Sequence, residues 1–135
     1  MAEGSYYIVH GAKMCCSAGS NSTRLNLPRC HGVYTGDKAF VHEDDCKFEV
    51  NISMFGICQN CQGETVGFVS DLDTEFSKAG EPAFGAMCKP MLESKWDGVH
   101  PVTKVDGKSV LTAESFLICN MGGVIQFMTS GQEEE

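Results

Sequence analysis

A chain of 135 residues with 42% hydrophobic residues has room for one modest core, and its formal net charge of −8 excludes a phosphate-backbone partner, which needs a basic surface. No run approaches the ~18 apolar residues of a membrane span. The opening, with Glu3 ahead of only four apolar or aromatic residues at 6–9, lacks the pattern of a secretion signal, so the expectation is a soluble protein made in the cytosol.

In chain order, the sequence reads as short strands joined by tight turns. A first strand-like run ends at Cys16 before Ser17-Ala18-Gly19. Residues 33–42 predict a hairpin turning at Gly36-Asp37-Lys38. Phe48, Val50, Ile52 and Met54 alternate with Glu49, Asn51 and Ser53, the clearest period-two pattern in the chain, and predict a strand over 48–54. A further run ends at Cys58. Residues 71–85, rich in Asp, Glu, Gly and Ser, predict a loop with a short helix. Asp106-Gly107 predicts a second hairpin, because both central positions of such a turn must accept positive φ. A third pairs residues 115–119 with 124–128 across Asn120-Met121-Gly122-Gly123. The fold class expected is therefore all-β. Cys16, Cys58 and Cys119 each close a strand-like run, which suits a pseudo-threefold β structure with thiols at one end.

Eight cysteines, at 15, 16, 30, 46, 58, 61, 88 and 119, stand among four histidines. In a reducing cytosol thiols serve metal ligation or redox chemistry rather than disulfides. Cys58-Gln59-Asn60-Cys61 has the two-residue spacing that presents two sulfurs to one ion, although no second such pair follows. Packing of some thiols as small hydrophobes is the alternative. Cys30 and His31, as strand neighbours, would point to opposite faces, and Cys58 and Cys61 stand outside any βαβ pattern. No phosphate loop, paired-carboxylate motif or nucleophile elbow is present, so the chain is not expected to be an enzyme. His10 predicts a core or interface histidine, His42-Glu43-Asp44-Asp45 a solvated acidic turn that holds a cation at most weakly, and His100 a loop position.

Several segments together resemble a known family. Gly11-Ala12-Lys13-Met14-Cys15-Cys16 fits a Gly-Ala-x-x-x-Cys start, and Asn51-Ile52-Ser53-Met54-Phe55-Gly56-Ile57-Cys58 fits Asn-Ile-x-x-Phe-Gly-x-Cys. Cys88-Lys89-Pro90, Trp96-Asp97-Gly98 and Cys119-Asn120-Met121-Gly122-Gly123-Val124-Ile125, with Gly131-Gln132 behind, complete the series. In this order they resemble the PAAR-like proteins, a divergent branch of the Pro-Ala-Ala-Arg repeat family. No literal Pro-Ala-Ala-Arg occurs here, and cysteines stand where the standard branch uses histidines.

The resemblance implies a small β-cone of short hairpins, stapled by metal near its apex. Such a cone caps the trimeric β-helical spike of a contractile injection system, such as type VI secretion, without enzymatic activity. It implies one structural zinc on Cys16, Cys58, Cys88 and Cys119, with Cys15, Cys30, His31, Cys46 and Cys61 in reserve. The expected partner is a trimeric spike protein of the valine-glycine-repeat type, with secreted effectors as further cargo. Neither nucleic acid nor a membrane anchor is expected. Residues 1–132 would form one PAAR-like domain and 133–135 an acidic tail. The chain would be made in the cytoplasm, assembled at the spike tip and delivered outside or into a target cell. The alternative is a free-standing cytosolic zinc or thiol protein with a catalytic or redox role.

Overall fold

The computed structural model describes residues 7–28, 31–35, 38–60, 62–88, 92, 95–105, 107–119 and 122–131. Among them the regular elements are all β-strands, and none is a helix. The strands are β1 (Lys13–Cys16), β2 (Thr23–Arg24), β3 (Tyr34–Thr35), β4 (Lys38–Ala39), β5 (Ile57–Cys58), β6 (Val66–Val69), β7 (Pro82–Met87), β8 (Lys104–Val105), β9 (Lys108–Ser109), β10 (Phe116–Ile118) and β11 (Val124–Phe127).

Every pairing between these strands is antiparallel. A four-stranded sheet runs β10-β11-β1-β2, a three-stranded sheet β5-β7-β6, and β3-β4 and β8-β9 stand as separate hairpins. The strands of each separate hairpin are joined by two residues, as Thr35↔Lys38 and Val105↔Lys108 require. Gly107 takes φ +75°, the conformation expected at that turn; residues 36, 37 and 106 lie outside the described segments. The third hairpin predicted from sequence is β10-β11, with Leu117 opposite Ile125.

Alternation along β1 sets the inner face. Met14 and Cys16 are buried, whereas Lys13 and Cys15 are half-buried on the other face. The register Met14↔Phe127 and Cys16↔Ile125 carries that division across to β11. Ile8, Met14, Leu25, Val41, Phe55, Leu111, Leu117 and Ile125 form one buried cluster with Trp96, Cys16, Cys58 and Cys88. The first and last described segments meet: the Val9 N–H donates to the Ser130 carbonyl at 2.9 Å, and the Ile8 N–H to that of Leu111 at 3.0 Å.

Two expectations are corrected. Residues 48–54 do not form a strand; Phe48 and Ile52 make a single bridge around a turn, and Glu49 takes φ +68°. The Lys47 carbonyl accepts from the Asn51 N–H at 2.8 Å, while the Asn51 side chain accepts from the Lys47 N–H at 3.1 Å and donates to the Asn26 carbonyl at 2.9 Å. An asparagine that satisfies nearby backbone in this way competes with sheet ladders, and here it wins. Residues 71–85 hold no helix, and β7 starts at Pro82, the first position of a strand, where proline is tolerated. β7 pairs with both β5 and β6. The Phe84 ring lies over Gly67, where a Cβ would come within 2.8 Å of it.

Candidate functional site

The ends of four strands bring cysteines to one region. Cys16 ends β1, Cys58 ends β5, Cys88 follows β7 and Cys119 follows β10. Backbone bonds hold these ends together. Gly19 bridges to Cys58, and the Gln59 N–H donates to the Ala18 carbonyl at 2.7 Å, so the turn after β1 lies along β5. The Cys88 N–H donates to the Gly56 carbonyl at 2.6 Å, and the Phe55 N–H to the Cys88 carbonyl at 3.4 Å. The turn that carries Cys119 closes with its N–H on the Gly123 carbonyl at 2.9 Å. Gly123 rests against the Cys16 sulfur so closely that a Cβ would lie 2.5 Å from it.

All four thiols are buried. The Cys16 and Cys88 side chains are hydrogen-bonded. That bond, helped by the backbone N–H groups of Ala18 and Gly19, pulls the Cys16 thiol down to about 7 against burial, which raises it. Cys88 is pushed up, first by the bond to Cys16, then by burial and by the charges of Cys16 and Cys58. The Asn60 N–H donates to Cys58 Sγ at 3.3 Å. The amide donors aimed at Cys16 favour its thiolate, the form that binds metal. Cys119 reaches this region through its backbone.

Two of the remaining candidates are only half-buried. Cys15 faces away from Cys16, as the alternation predicts, and its thiol is raised by burial and by its neighbour. Cys46 is half-buried and raised chiefly by burial. Cys30 and Cys61 lie outside the described residues.

A second constellation gathers His31, His42 and Asp45, whose ligand atoms all lie within 4.8 Å of one another, closer than any three of the described thiols. These three side chains can hold a metal ion. His31 Nε2 lies 2.9 Å from Asp45 Oδ2 and 3.2 Å from Oδ1. His42 Nδ1 lies 3.6 Å from the same Oδ2, and the two imidazoles stack at 4.0 Å with 19° between planes. The Asp45 carboxylate also accepts from the His42 N–H at 2.8 Å, and its carbonyl accepts from the Trp96 indole at 3.0 Å. The expectation of a solvated turn is thereby corrected: His42 and Asp45 are 7% and 6% exposed. The sequence signal for them was a histidine three residues before an aspartate, masked by the acidic run between.

The other two histidines serve the backbone. His100 Nδ1 accepts from the Val102 and Thr103 N–H groups at 3.1 and 2.9 Å, as suits a loop. His10, expected in a core or interface, is exposed and accepts from the Leu27 N–H at 2.9 Å through Nδ1.

An all-β chain of small antiparallel sheets with buried cysteines and a His-His-Asp group defines a class of candidate metal-binding β proteins. Within it, residues 8–132 match the family described as a domain of unknown function, DUF4280, and the chain belongs to that family. No curated protein and no solved structure matches the chain.

Proposed function

We propose that this chain is a non-enzymatic tip protein of a contractile injection system, seated on a trimeric β-helical spike and stapled by zinc at its thiol end. The observation that carries the proposal is the burial of Cys16, Cys58, Cys88 and Cys119 at the ends of β1, β5, β7 and β10. All four stand in the segments through which the sequence resembles the PAAR-like proteins. A pointed tip must taper and so cannot rely on a large core, and a metal held by strand ends replaces the missing packing. The proposal takes the overall shape as a cone, with the thiols at its apex.

The docking face follows from what remains exposed. Of the apolar segments at 6–9, 48–54 and 124–128, Ile8, Val9, Ile52 and Ile125 belong to the core, and Val50, Met54 and Met128 are left at the surface to meet the spike. Delivery outside the producing cell or into a target, and carriage of effectors at the tip, belong to the same proposal. The rival reading, a free thiol enzyme or redox protein, finds support in the lowered Cys16 thiol. A thiol only 5% exposed is a poor nucleophile for any substrate of size, which favours the structural role.

Co-expression with a trimeric spike protein of the valine-glycine-repeat type tests the proposal. The two should co-purify, and Val50→Asp with Met128→Asp should abolish the complex while leaving the far-ultraviolet circular dichroism unchanged. A chain that ignores the spike protein and turns over a thiol substrate would establish the rival instead.

A further inference from the structure

His31, His42 and Asp45 share no residue with the thiol group and approach β11 at its other end. Trp96 fixes that placement, because its ring stacks on Phe127 at 4.8 Å while its indole N–H holds the Asp45 carbonyl. Cys16 instead faces Ile125, nearer the β10-β11 turn. We infer that these three side chains form a second metal site, independent of the thiols, for one borderline divalent ion of the zinc type.

The distances suit such an ion. A tetrahedral centre with bonds of about 2.1 Å to nitrogen and oxygen holds neighbouring ligand atoms roughly 3.4 Å apart. The separations from Asp45 Oδ2 to His31 Nε2 and His42 Nδ1, 2.9 and 3.6 Å, lie on either side of that value. Small side-chain movements therefore complete the geometry.

The placement of protons points the same way. The Asp44 N–H donates to His42 Nδ1 at 3.2 Å, so this nitrogen offers a lone pair rather than a proton. A carboxylate oxygen faces it at 3.6 Å, and two acceptors opposed in a buried place are satisfied by a cation between them. The ion would displace the long bond from Asp44 and take the place of the His31 Nε2 contact with the Asp45 carboxylate.

The donor set selects the ion. Two imidazoles and one carboxylate suit zinc and its neighbours cobalt, nickel and iron(II). Calcium, which takes ~6–8 oxygen ligands, is disfavoured. Three protein ligands leave a fourth position for water. His31 precedes β3 and His42 follows β4, so the ion ties the base of that hairpin to Asp45 and, through Trp96, to the core.

Metal-stripped, tag-free, full-length protein titrated with cobalt(II) tests this site without any spike partner, so its failure is separate from failure of the tip proposal. Thiolate-bound cobalt shows strong sulfur-to-metal charge transfer, and cobalt on nitrogen and oxygen does not. The expected result is a binding step without charge transfer. It should persist in Cys16→Ser and weaken in His31→Gln and His42→Gln by more than the ~10–100-fold that loss of an outer-shell partner costs. His31→Gln alters a side chain 18% exposed, and unchanged Trp96 fluorescence will show that packing is kept. Equal binding in wild type and both glutamine variants would overturn the inference, as would finding that all bound cobalt carries charge transfer.

Discussion

The hydrogen bond between the Cys16 and Cys88 side chains governs how the metal-free thiol end responds to pH. Cys16 is lowered from 9.0 to about 7 by that bond, so its contribution to stability is present above pH 9 and lost as pH falls through 7. Cys88 is raised by the same bond, so its contribution is present below 9 and lost as pH climbs beyond. From 7 to 9 the folded pair holds one proton and the unfolded pair two; above 9 the unfolded pair holds none. The stability difference between metal-stripped wild type and Cys88→Ser should therefore rise from pH 7 to a maximum near 9 and then fall. Urea midpoints across that range would show it. That Cys15 and Cys16 face opposite ways was legible in the sequence, because successive residues of an extended segment alternate. The burial of His42 and Asp45 was not, since it comes from partners far along the chain: Val110, which bridges His42, and Trp96. A local reading of three successive acidic residues predicts solvent.

Among the elements, the hairpins were legible wherever turn chemistry dictated them. Asp106-Gly107 between alternating runs leaves little choice, and residues 122–123 do the same for β10-β11. The segment 48–54 shows the limit of periodicity. Its alternation is as regular as any in the chain, yet Asn51 folds it into a turn by serving Lys47 and Asn26. β6 and β7 were hidden for the opposite reason, since Gly67, Pro82 and Gly85 obscure a strand pattern that becomes clear only when Phe84 covers Gly67. Asn51→Ala should leave the Asn26 carbonyl without its donor and free the turn around Lys47. The expected loss is about 0.5–1.5 kcal/mol, the usual net worth of a hydrogen bond whose other partner water can reach, read from the shift in urea midpoint. Asn51→Asp keeps the acceptor for the Lys47 N–H but not the donor to Asn26, and should fall between alanine and wild type.

For the molecule as a whole, small sheets share one buried cluster, and much apolar surface is left outside it. Phe68, Val69 and Phe84 on the β6-β7 hairpin are 40%, 61% and 71% exposed, and Val50, Met54 and Met128 are also at the surface. The edge strands β2 and β6 each have one strand neighbour. Open edges beside apolar side chains are a liability for a lone chain, and a partner that covers them removes it. A trimeric spike supplies three strand ends, and one asymmetric chain can cap them only once. Native mass spectrometry of the co-expressed complex therefore tests the tip role most directly. The predicted result is a single species of three spike chains and one 14.6 kDa tip chain. A tip chain found only alone, or bound in three copies per spike, would contradict it.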